Sequence, residues 1–266
     1  MRSNFLIFLK YTGAYSLLLI ASFLVGTKVL YADPTYLHLD PRDGQDGQVQ
    51  LTHATLVLVV GNYVDKLPLD ISPDGVDVNM DPSWIRANWP GGKNRLKNVD
   101  RAYLYLRAEG YAPIVSSPIN WMGSDSAGLG KDVVVSFPGG KVAMVGKGRK
   151  LSLTVNFRKP IERFVRLSNG KGKPLSGIKV KSYIYWSKSA DGKLNGADFL
   201  GEGISDDTGR VPVTDGDFTY AIQVTQKATS GHPADTVLIV KRFEDKEYPL
   251  TVPDVSTVDS QEAQTR

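Results

Sequence analysis

The chain of 266 residues contains no cysteine. Disulfide frameworks are therefore excluded, and so are a thiol nucleophile, a cysteine-ligated zinc or iron–sulfur centre, and a lipid anchor on cysteine. The fold must be held by core packing, for which a hydrophobic content of 41% is sufficient. We predict that the protein uses no cofactor and no metal.

Histidine is also scarce, since His38, His53 and His232 are the three in the chain. A Ser-His-Asp hydrolase needs one of them within hydrogen-bond reach of a serine and a carboxylate. The Gly-x-Ser-x-Gly elbow of serine hydrolases is absent. Paired carboxylates can cleave glycosides, but no spacing singles out two of the 28 acids. We predict that the protein is not an enzyme, and a hydrolase with an unrecognised carboxylate site is the open alternative.

The first 32 residues contain no acid and have the order of an export signal. Arg2 and Lys10 precede an apolar run over residues 11–25, and Ala32 offers a small residue for cleavage. A basic start, an apolar middle and a small exit residue are typical of a secretory signal peptide. Residues 1–32 are therefore predicted to direct export to the periplasm or cell envelope.

An uncleaved membrane anchor is the alternative for the same segment. Residues 5–27 are long enough to span a bilayer if Lys10 snorkels toward the inner face. The basic N-terminus would then stay inside, and membrane contact is predicted through these residues. Both alternatives predict that the remainder of the chain functions outside the cytoplasm.

Charge is unevenly distributed along the chain. The leader holds three of the 32 basic residues and no acid, so the remaining residues carry 29 basic against 28 acidic side chains, a net charge of +1. Nine aspartates lie in residues 33–82, whereas residues 141–181, here called the basic belt, carry twelve basic residues against Glu162 alone. We interpret these as two differently charged solvated surfaces. The alternative is that the belt meets an acidic polysaccharide, a lipid head group or the acidic segment itself.

Nucleic acid is not a predicted partner. Much of the basic isoelectric point comes from the leader, and the chain shows no recognition helix or aromatic RNA-binding motif. The predicted partner is an envelope protein or a polysaccharide.

Strand patterns dominate the chain, and helix patterns are sparse. Residues 151–157 alternate between apolar and polar side chains, whereas residues 49–60 alternate and then become continuously apolar, which is typical of a strand entering a core. Turns rich in Gly, Asp and Asn separate such strands, and one helical turn is predicted over residues 82–89. The fold class is therefore predicted to be all-β, with two tandem Ig-like or transthyretin-like β-sandwiches.

Composition shifts predict the limits of the segments. Proline and a cluster of basic residues mark a joint at residues 158–160, and both ends of the exported part are polar. We predict a signal or anchor at 1–32, an extended linker at 33–47, a β-sandwich at 48–157, a second β-sandwich at 160–252 and a disordered tail at 253–266.

The second sandwich carries two recognisable stretches. Residues 172–180 read Gly-Lys-Pro-Leu-Ser-Gly-Ile-Lys-Val, and residues 205–209 read Ser-Asp-Asp-Thr-Gly, with Gly209 predicted in a hairpin turn. Over about residues 164–224 this order resembles the carboxypeptidase regulatory-like, or transthyretin-like, domains. The resemblance implies a β-sandwich of the accessory type. A stretch around Tyr111 also resembles the Gly-Tyr segment that closes such domains, so the first sandwich is predicted to be a divergent relative.

Tryptophans in the irregular part of the first sandwich are candidate ligand contacts. Their flat apolar faces can stack on sugar rings, although tryptophans at such positions also close the open end of a sandwich. If a ligand site exists there, it consists of Trp84, Arg86, Trp89 and Lys93.

Two oxygen-rich stretches have ligand types that calcium prefers. Neither follows the EF-hand order, in which ligands spaced by two end in a glutamate. We interpret both as solvated loops, with a metal site as the less favoured alternative. The first contains Asp40, Asp43 and Asp46, and the second contains Asp191, Asn195 and Asp198.

Together these features predict an exported, non-catalytic binding or structural protein of the cell envelope. It is expected to act through the loops and surfaces of its β-sandwiches, and its edge strands offer a second route to a partner. A carbohydrate-binding accessory module is the alternative.

Overall fold

A computed structural model describes residues 35–88, 101–122, 132–146, 148–188, 194–227, 233–240 and 245–253. In these ranges the chain forms strands and one short helix, which confirms the predicted all-β class. The elements are β1 (Tyr36–Arg42), β2 (Leu51–Val60), β3 (Tyr63–Pro68), β4 (Ile71–Ser72), β5 (Gly75–Asn79), α1 (Pro82–Asn88), β6 (Arg101–Ala108), β7 (Ile114–Val115), β8 (Asn120–Met122), β9 (Asp132–Ser136), β10 (Val142–Val145), β11 (Lys150–Asn156), β12 (Arg163–Ser168), β13 (Lys179–Ile184), β14 (Ser187–Lys188), β15 (Leu194–Asn195), β16 (Asp198–Ile204), β17 (Arg210–Val213), β18 (Tyr220–Lys227), β19 (Pro233–Val240) and β20 (Glu247–Thr251).

The strands form separate sheets in the two halves of the chain. The first half contains the orders β11-β1-β5-β4, β3-β2-β6-β7 and β10-β9-β8, and the second contains β17-β12-β20, β16-β13-β18-β19 and β14-β15. Most neighbours are antiparallel, but β1 pairs with β11 and β12 pairs with β20 in parallel. Among the described strands, none of the first half pairs with one of the second.

The first hydrophobic core is built from residues of the first half, most of them in strands and in α1. Leu37 and Leu39 of β1 meet Leu56 and Leu58 of β2, and all four side chains are fully buried. Alternation along β1 explains this, since every second side chain of a strand points to the same face. The remaining fully buried members include Val76, Val78, Met80, Ile85, Leu104 and Leu106.

In the sheet β3-β2-β6-β7, called the central sheet below, β2 and β6 carry buried side chains on both faces. Leu56 and Leu58 face the first core, whereas Val57 and Val59 belong to a second core formed with strands of the second half. A strand with two buried faces has no polar positions, which explains the continuously apolar end of β2.

The second core therefore contains side chains from both halves of the chain. Strands of the second half supply most of its buried apolar side chains. The central sheet adds Tyr105, Val115 and the two valines of β2. Members from the second half include Val165, Leu167, Val180, Ile184, Trp186, Val211, Tyr220, Ile222 and Val224.

The boundaries predicted for the two sandwiches, near residues 157 and 160, stay a prediction. Hydrogen bonds cross between the halves, since Ser187 Oγ donates to the Gly61 carbonyl at 3.3 Å and the Asn195 amide donates to the Asn62 carbonyl. The leader at 1–32 lies outside the described residues, as does all of the predicted tail except Pro253.

Two local predictions need correction. Residues 33–47 were predicted to be a linker, but β1 lies within them as an inner strand, because Leu37 and Leu39 alternate among the polar residues that suggested a linker. The turn that ends at Gly209 is not a hairpin: β16 before it pairs with β13, and β17 after it pairs with β12. It is a corner between two sheets, and Gly209 adopts a positive φ of 79° there.

Candidate functional site

A cleft of about 370 Å³ lies where the central sheet meets the second half of the chain. Its walls come from both halves, so only the folded pair of cores creates it. The first half contributes Tyr103, Val115, Ser116, Ser117, Pro118 and Pro138, and the second contributes Ile184, Tyr185, Trp186, Asp217, Phe218 and Thr219.

Strand pairing places the second-half residues of the cleft side by side. Ile184 at the end of β13 pairs with Tyr220 at the start of β18, so the residues after β13 lie beside those before β18. The Tyr185 amide donates to the Thr219 carbonyl at 2.9 Å and holds this edge together. The cleft wall is therefore a continuation of two core strands and not a free loop.

The lining combines aromatic rings with polar side chains, which include two serines, a threonine and an aspartate. Tyr103 and Trp186 pack with their ring centroids 5.4 Å apart, and Tyr103 and Tyr185 are partly exposed. Asp217 is the one carboxylate among the described lining residues. Polar groups among aromatic walls can fix the orientation of a bound small molecule. Its single carboxylate does not provide the acid pair of a glycosidase.

An ion cluster around the buried Asp215, two residues before Asp217 of the cleft, holds the segment between β11 and β12. Arg158 donates to Asp215 with both terminal guanidinium nitrogens, and Nη1 makes the shorter contact. Arg163 Nε donates to Asp215 Oδ1 at 3.1 Å. The Ile161 amide donates to Asp215 Oδ2 at 3.0 Å. None of the Asp215 side chain is exposed, so the carboxylate is fully paired inside the protein.

The charge state of Asp215 follows from these contacts. Burial raises its pKa, but the hydrogen bonds from Arg158, Ile161 and Arg163 more than offset this and hold the pKa below its usual range. The hydroxyl of Tyr220 lies 3.0 Å from the Gly216 carbonyl and keeps the loop around Asp215 in place. We name Arg158, Arg163 and Asp215 the clamp.

The predicted tryptophan platform stays a prediction. Trp84 lies in α1, is partly buried and packs against the first core, which is the position of a residue that closes the sandwich. Arg86 also lies in α1, but its side chain is outside the described part of the structure, as are Trp89 and Lys93. The predicted helical turn itself is confirmed, with Asp81 at its N-terminus accepting a hydrogen bond from the Trp84 amide at 3.4 Å.

The first oxygen-rich stretch is a turn held by its own side chains. Asp43 accepts the amide protons of Gln45 at 2.9 Å and Gly47 at 2.8 Å, and these bonds lower its pKa. Asp40 pairs with Arg42 at 2.9 Å. Among the described residues, no group of three or more histidine or acidic side chains is placed to hold a metal ion.

The second stretch also uses its groups internally. Asp198 accepts a hydrogen bond from Trp186 Nε1 at 2.6 Å and pairs with Lys66 Nζ at 2.8 Å. Asn195 binds a backbone carbonyl of the first half, as described above. Asp191 lies outside the described residues.

Two of the three histidines have neighbours in the described structure. His38 Nδ1 lies 2.8 Å from Asp77 on the surface, and His53 Nε2 lies 2.7 Å from the hydroxyl of Thr55. His232 lies outside the described residues. Neither described histidine lines the cleft.

Much of the basic belt is paired within the chain. Lys150 contacts Asp77 of the acidic segment at 3.2 Å, which confirms for one pair that the two regions meet. Arg166 pairs with Glu247, and Lys159 lies 3.9 Å from the centre of the Tyr111 ring. The two ion pairs reduce the positive charge that the belt presents to a partner.

Within the described residues, no helix is long and apolar enough to cross a membrane. The predicted anchor at residues 5–27 falls outside them.

The chain matches no family model and no curated protein. Among solved structures it is similar to a 9R-lipoxygenase from Cyanothece PCC8801, with 17% identity over 36% of this chain and a TM-score of 0.24. It is also similar to the TIE protein of Bacillus anthracis, with 13% identity over 84% of this chain and a TM-score of 0.29. A third similar structure is the shaft pilin SpaA of Lactobacillus rhamnosus GG, with 11% identity over 83% of this chain and a TM-score of 0.26.

This chain covers 16% of the lipoxygenase chain, 34% of the TIE chain and 98% of the SpaA chain. At these identities and TM-scores, no activity or partner of these proteins is carried over to this chain. The β-sandwich fold implied by the resemblance to carboxypeptidase regulatory-like domains is supported. Membership of that family stays a prediction.

Sequence reasoning missed the cleft and the clamp. Asp215 and Asp217 flank Gly216 and predict only a turn, and nothing in the sequence distinguishes the buried Asp215 from the partly exposed Asp217. The available signal for the clamp was the presence of Arg158 and Arg163 around the predicted joint. Arginines in a rigid joint need an acidic partner, which their positions alone do not identify.

Proposed function

We propose that the protein is an exported, non-catalytic binding protein of the cell envelope that takes its ligand in the cleft between its two cores. The observation that carries this proposal is the cleft itself, whose walls of Tyr103, Tyr185 and Asp217 come from both halves. The leader supports export, and the clamp supports a binding site of fixed shape, because preorganised walls lower the entropic cost of binding.

A carbohydrate is the ligand class that this lining favours. Partly exposed tyrosine rings offer flat apolar faces to a sugar, and a carboxylate can accept hydrogen bonds from its hydroxyl groups. The cleft volume of about 370 Å³ suits one or two sugar residues. An envelope protein that inserts a short loop is the other occupant with suitable chemistry.

The test is a binding screen of the exported protein against soluble cell-envelope polysaccharides and envelope extracts. Tyr185→Ala and Asp217→Asn are expected to weaken binding about tenfold or more, since each removes a wall contact. Tyr63→Ala is the matched control, because Tyr63 is 57% exposed on β3 and does not line the cleft. Unchanged binding by both cleft variants, or turnover of a bound glycan, would contradict the proposal.

A further inference from the structure

The two sheets around the first core have outer strands at two opposite borders. In one sheet the outer strands are β11 and β4. In the other they are β3 and β10, because the residues between β7 and β8 join β6 to β9: the Ile119 amide donates to the Ala102 carbonyl and the Ser117 amide to the Ser136 carbonyl. β10 contacts β11, and β4 contacts β2 next to β3. The β10–β11 border and the β3–β4 border therefore lie on opposite sides of the first core.

β10 presents an apolar surface at the first of these borders. Val142 is 67% exposed and Met144 is 63% exposed, and they alternate with the buried Ala143 and Val145. Among the described strands β10 pairs with β9 alone, so its other edge is open. Natural sheets commonly protect such an edge with a charge or a proline inside the strand, and β10 contains neither. Exposed apolar side chains at an open edge are typical of a surface that contacts another protein.

Positive charge flanks this apolar surface. Residues 141–150, which run from the start of β10 into β11, contain four basic residues and no acid. Lys141 directly precedes β10, Arg149 directly precedes β11, and both are exposed. Asp132 of β9 lies beside Gly146 at the same border, but neither Lys141 nor Arg149 makes an ion pair with a described carboxylate. Their charges are available to a partner.

The β3–β4 border carries the opposite charge. Residues 63–77 contain four aspartates, and Lys66 is the one basic residue among them. Lys66 is occupied by Asp198 of the second half. Ile71 of β4 is 36% exposed and lies between acidic neighbours in the chain. The aspartates of this border that make no ion pair with a described basic side chain are Asp65, Asp70 and Asp74.

We propose that the β10–β11 border of one molecule binds the β3–β4 border of a second copy of this chain. Val142 and Met144 meet Ile71 at the centre of the contact, and basic side chains meet aspartates around it. The two surfaces differ and lie on opposite sides, so each bound molecule keeps one free border. Such a heterologous contact continues from molecule to molecule instead of stopping at a dimer. None of these side chains lines the cleft, so the association is a property beyond the proposed ligand binding.

The first test is sedimentation velocity of the exported protein over a wide range of protein concentration. Species larger than a dimer are expected to grow with concentration at low salt. Between about 0.1 M and about 1 M sodium chloride the Debye length falls from about 10 Å to about 3 Å, so association should weaken about tenfold. A monomer at every concentration, or a dimer that grows no further, would overturn the proposal.

Charge reversal tests which surfaces are in contact. Lys141→Glu with Arg149→Glu leaves both borders acidic, and Asp70→Lys with Asp74→Lys leaves both basic, so each double variant alone is expected to stay monomeric. An equal mixture of the two variants is expected to associate again, because acidic borders then meet basic ones. A folding defect would not be repaired by mixing. A mixture that stays monomeric contradicts the proposed pairing.

Lys171→Glu with Lys173→Glu is the matched control, since both lysines are exposed in the second half and the charge changes by the same amount. Its association is expected to stay within about a factor of two of the unaltered protein. An equal loss in the control and in the border variants would show that net charge alone governs association, and the proposal would fail.

Discussion

The two hydrophobic cores of this protein differ in which half of the chain contributes their side chains. Every buried side chain of the first core comes from the first half of the chain, whereas the second core includes four from the central sheet. The first core thus contains no side chain of the second half, whereas the second core is closed by side chains of the first half. The difference teaches that sequential modules with similar strand patterns need not be equivalent, because one of them can provide a wall of the other.

The largest expected effect concerns the first core. Leu58→Ala removes a fully buried side chain and should lower the free energy of unfolding by about 4 kcal/mol. Urea unfolding followed by circular dichroism measures this loss. Val142→Ala, at a position that is 67% exposed, should change the free energy by less than about 0.5 kcal/mol. Equal losses in the two variants would show that β2 does not face a packed core.

The clamp is expected to come next. Asp215→Ala leaves Arg163, whose side chain is 11% exposed, without its acid and should lower the free energy of unfolding by about 3 kcal/mol. Glu202→Ala, which breaks a surface pair with Lys179, should cost less than about 1 kcal/mol in the same urea experiment. A clamp variant as stable as the surface variant would mean that the joint is not held by Asp215.

The same clamp predicts how stability depends on pH. The pKa of Asp215 is lower in the folded protein than in the unfolded chain, where an aspartate titrates near about 3.9. Its contribution is therefore present above about pH 4 and is lost as the pH falls through the folded pKa. Asp215→Ala should flatten this acid branch, measured as the free energy of unfolding between about pH 2 and 5.

The second core tests the asymmetry directly. Val57→Ala removes a buried valine of β2 that points away from the first core, and we expect a loss of about 2 kcal/mol. If the central sheet closes the second core, tryptophan fluorescence, to which Trp186 of that core contributes, should report the loss together with circular dichroism. A stability equal to that of the unaltered protein would show that the second half does not depend on this wall.

The smallest expected effect has the opposite sign. Tyr105→Phe removes a buried hydroxyl that makes no hydrogen bond of ordinary geometry, although Arg107 lies close to it, so the free energy of unfolding should rise by up to about 1 kcal/mol. Thermal unfolding followed by circular dichroism measures it. A decrease in stability would mean that the contact with Arg107 stabilises the folded protein more than burial of the hydroxyl costs.

The sequence predicted secondary structure better than it predicted sites. Alternation along residues 151–157 and the short helix near Pro82 are present as β11 and α1, because both patterns are local. The cleft was not predictable, since Tyr103 and Tyr185 are 82 positions apart and meet only through tertiary packing. The tryptophan platform stays a prediction, and of its four residues Trp84 is the one with a described side chain.

The sequence by itself determined the absence of disulfides and the strand-rich pattern, and it predicts the export leader, because composition and periodicity are properties of the chain. Tertiary structure alone decided that Val57 and Leu58 serve different cores and that Asp215 is buried while Asp217 is partly exposed. Burial depends on which strands pack against a residue, and packing partners distant in the chain leave no local pattern in the sequence.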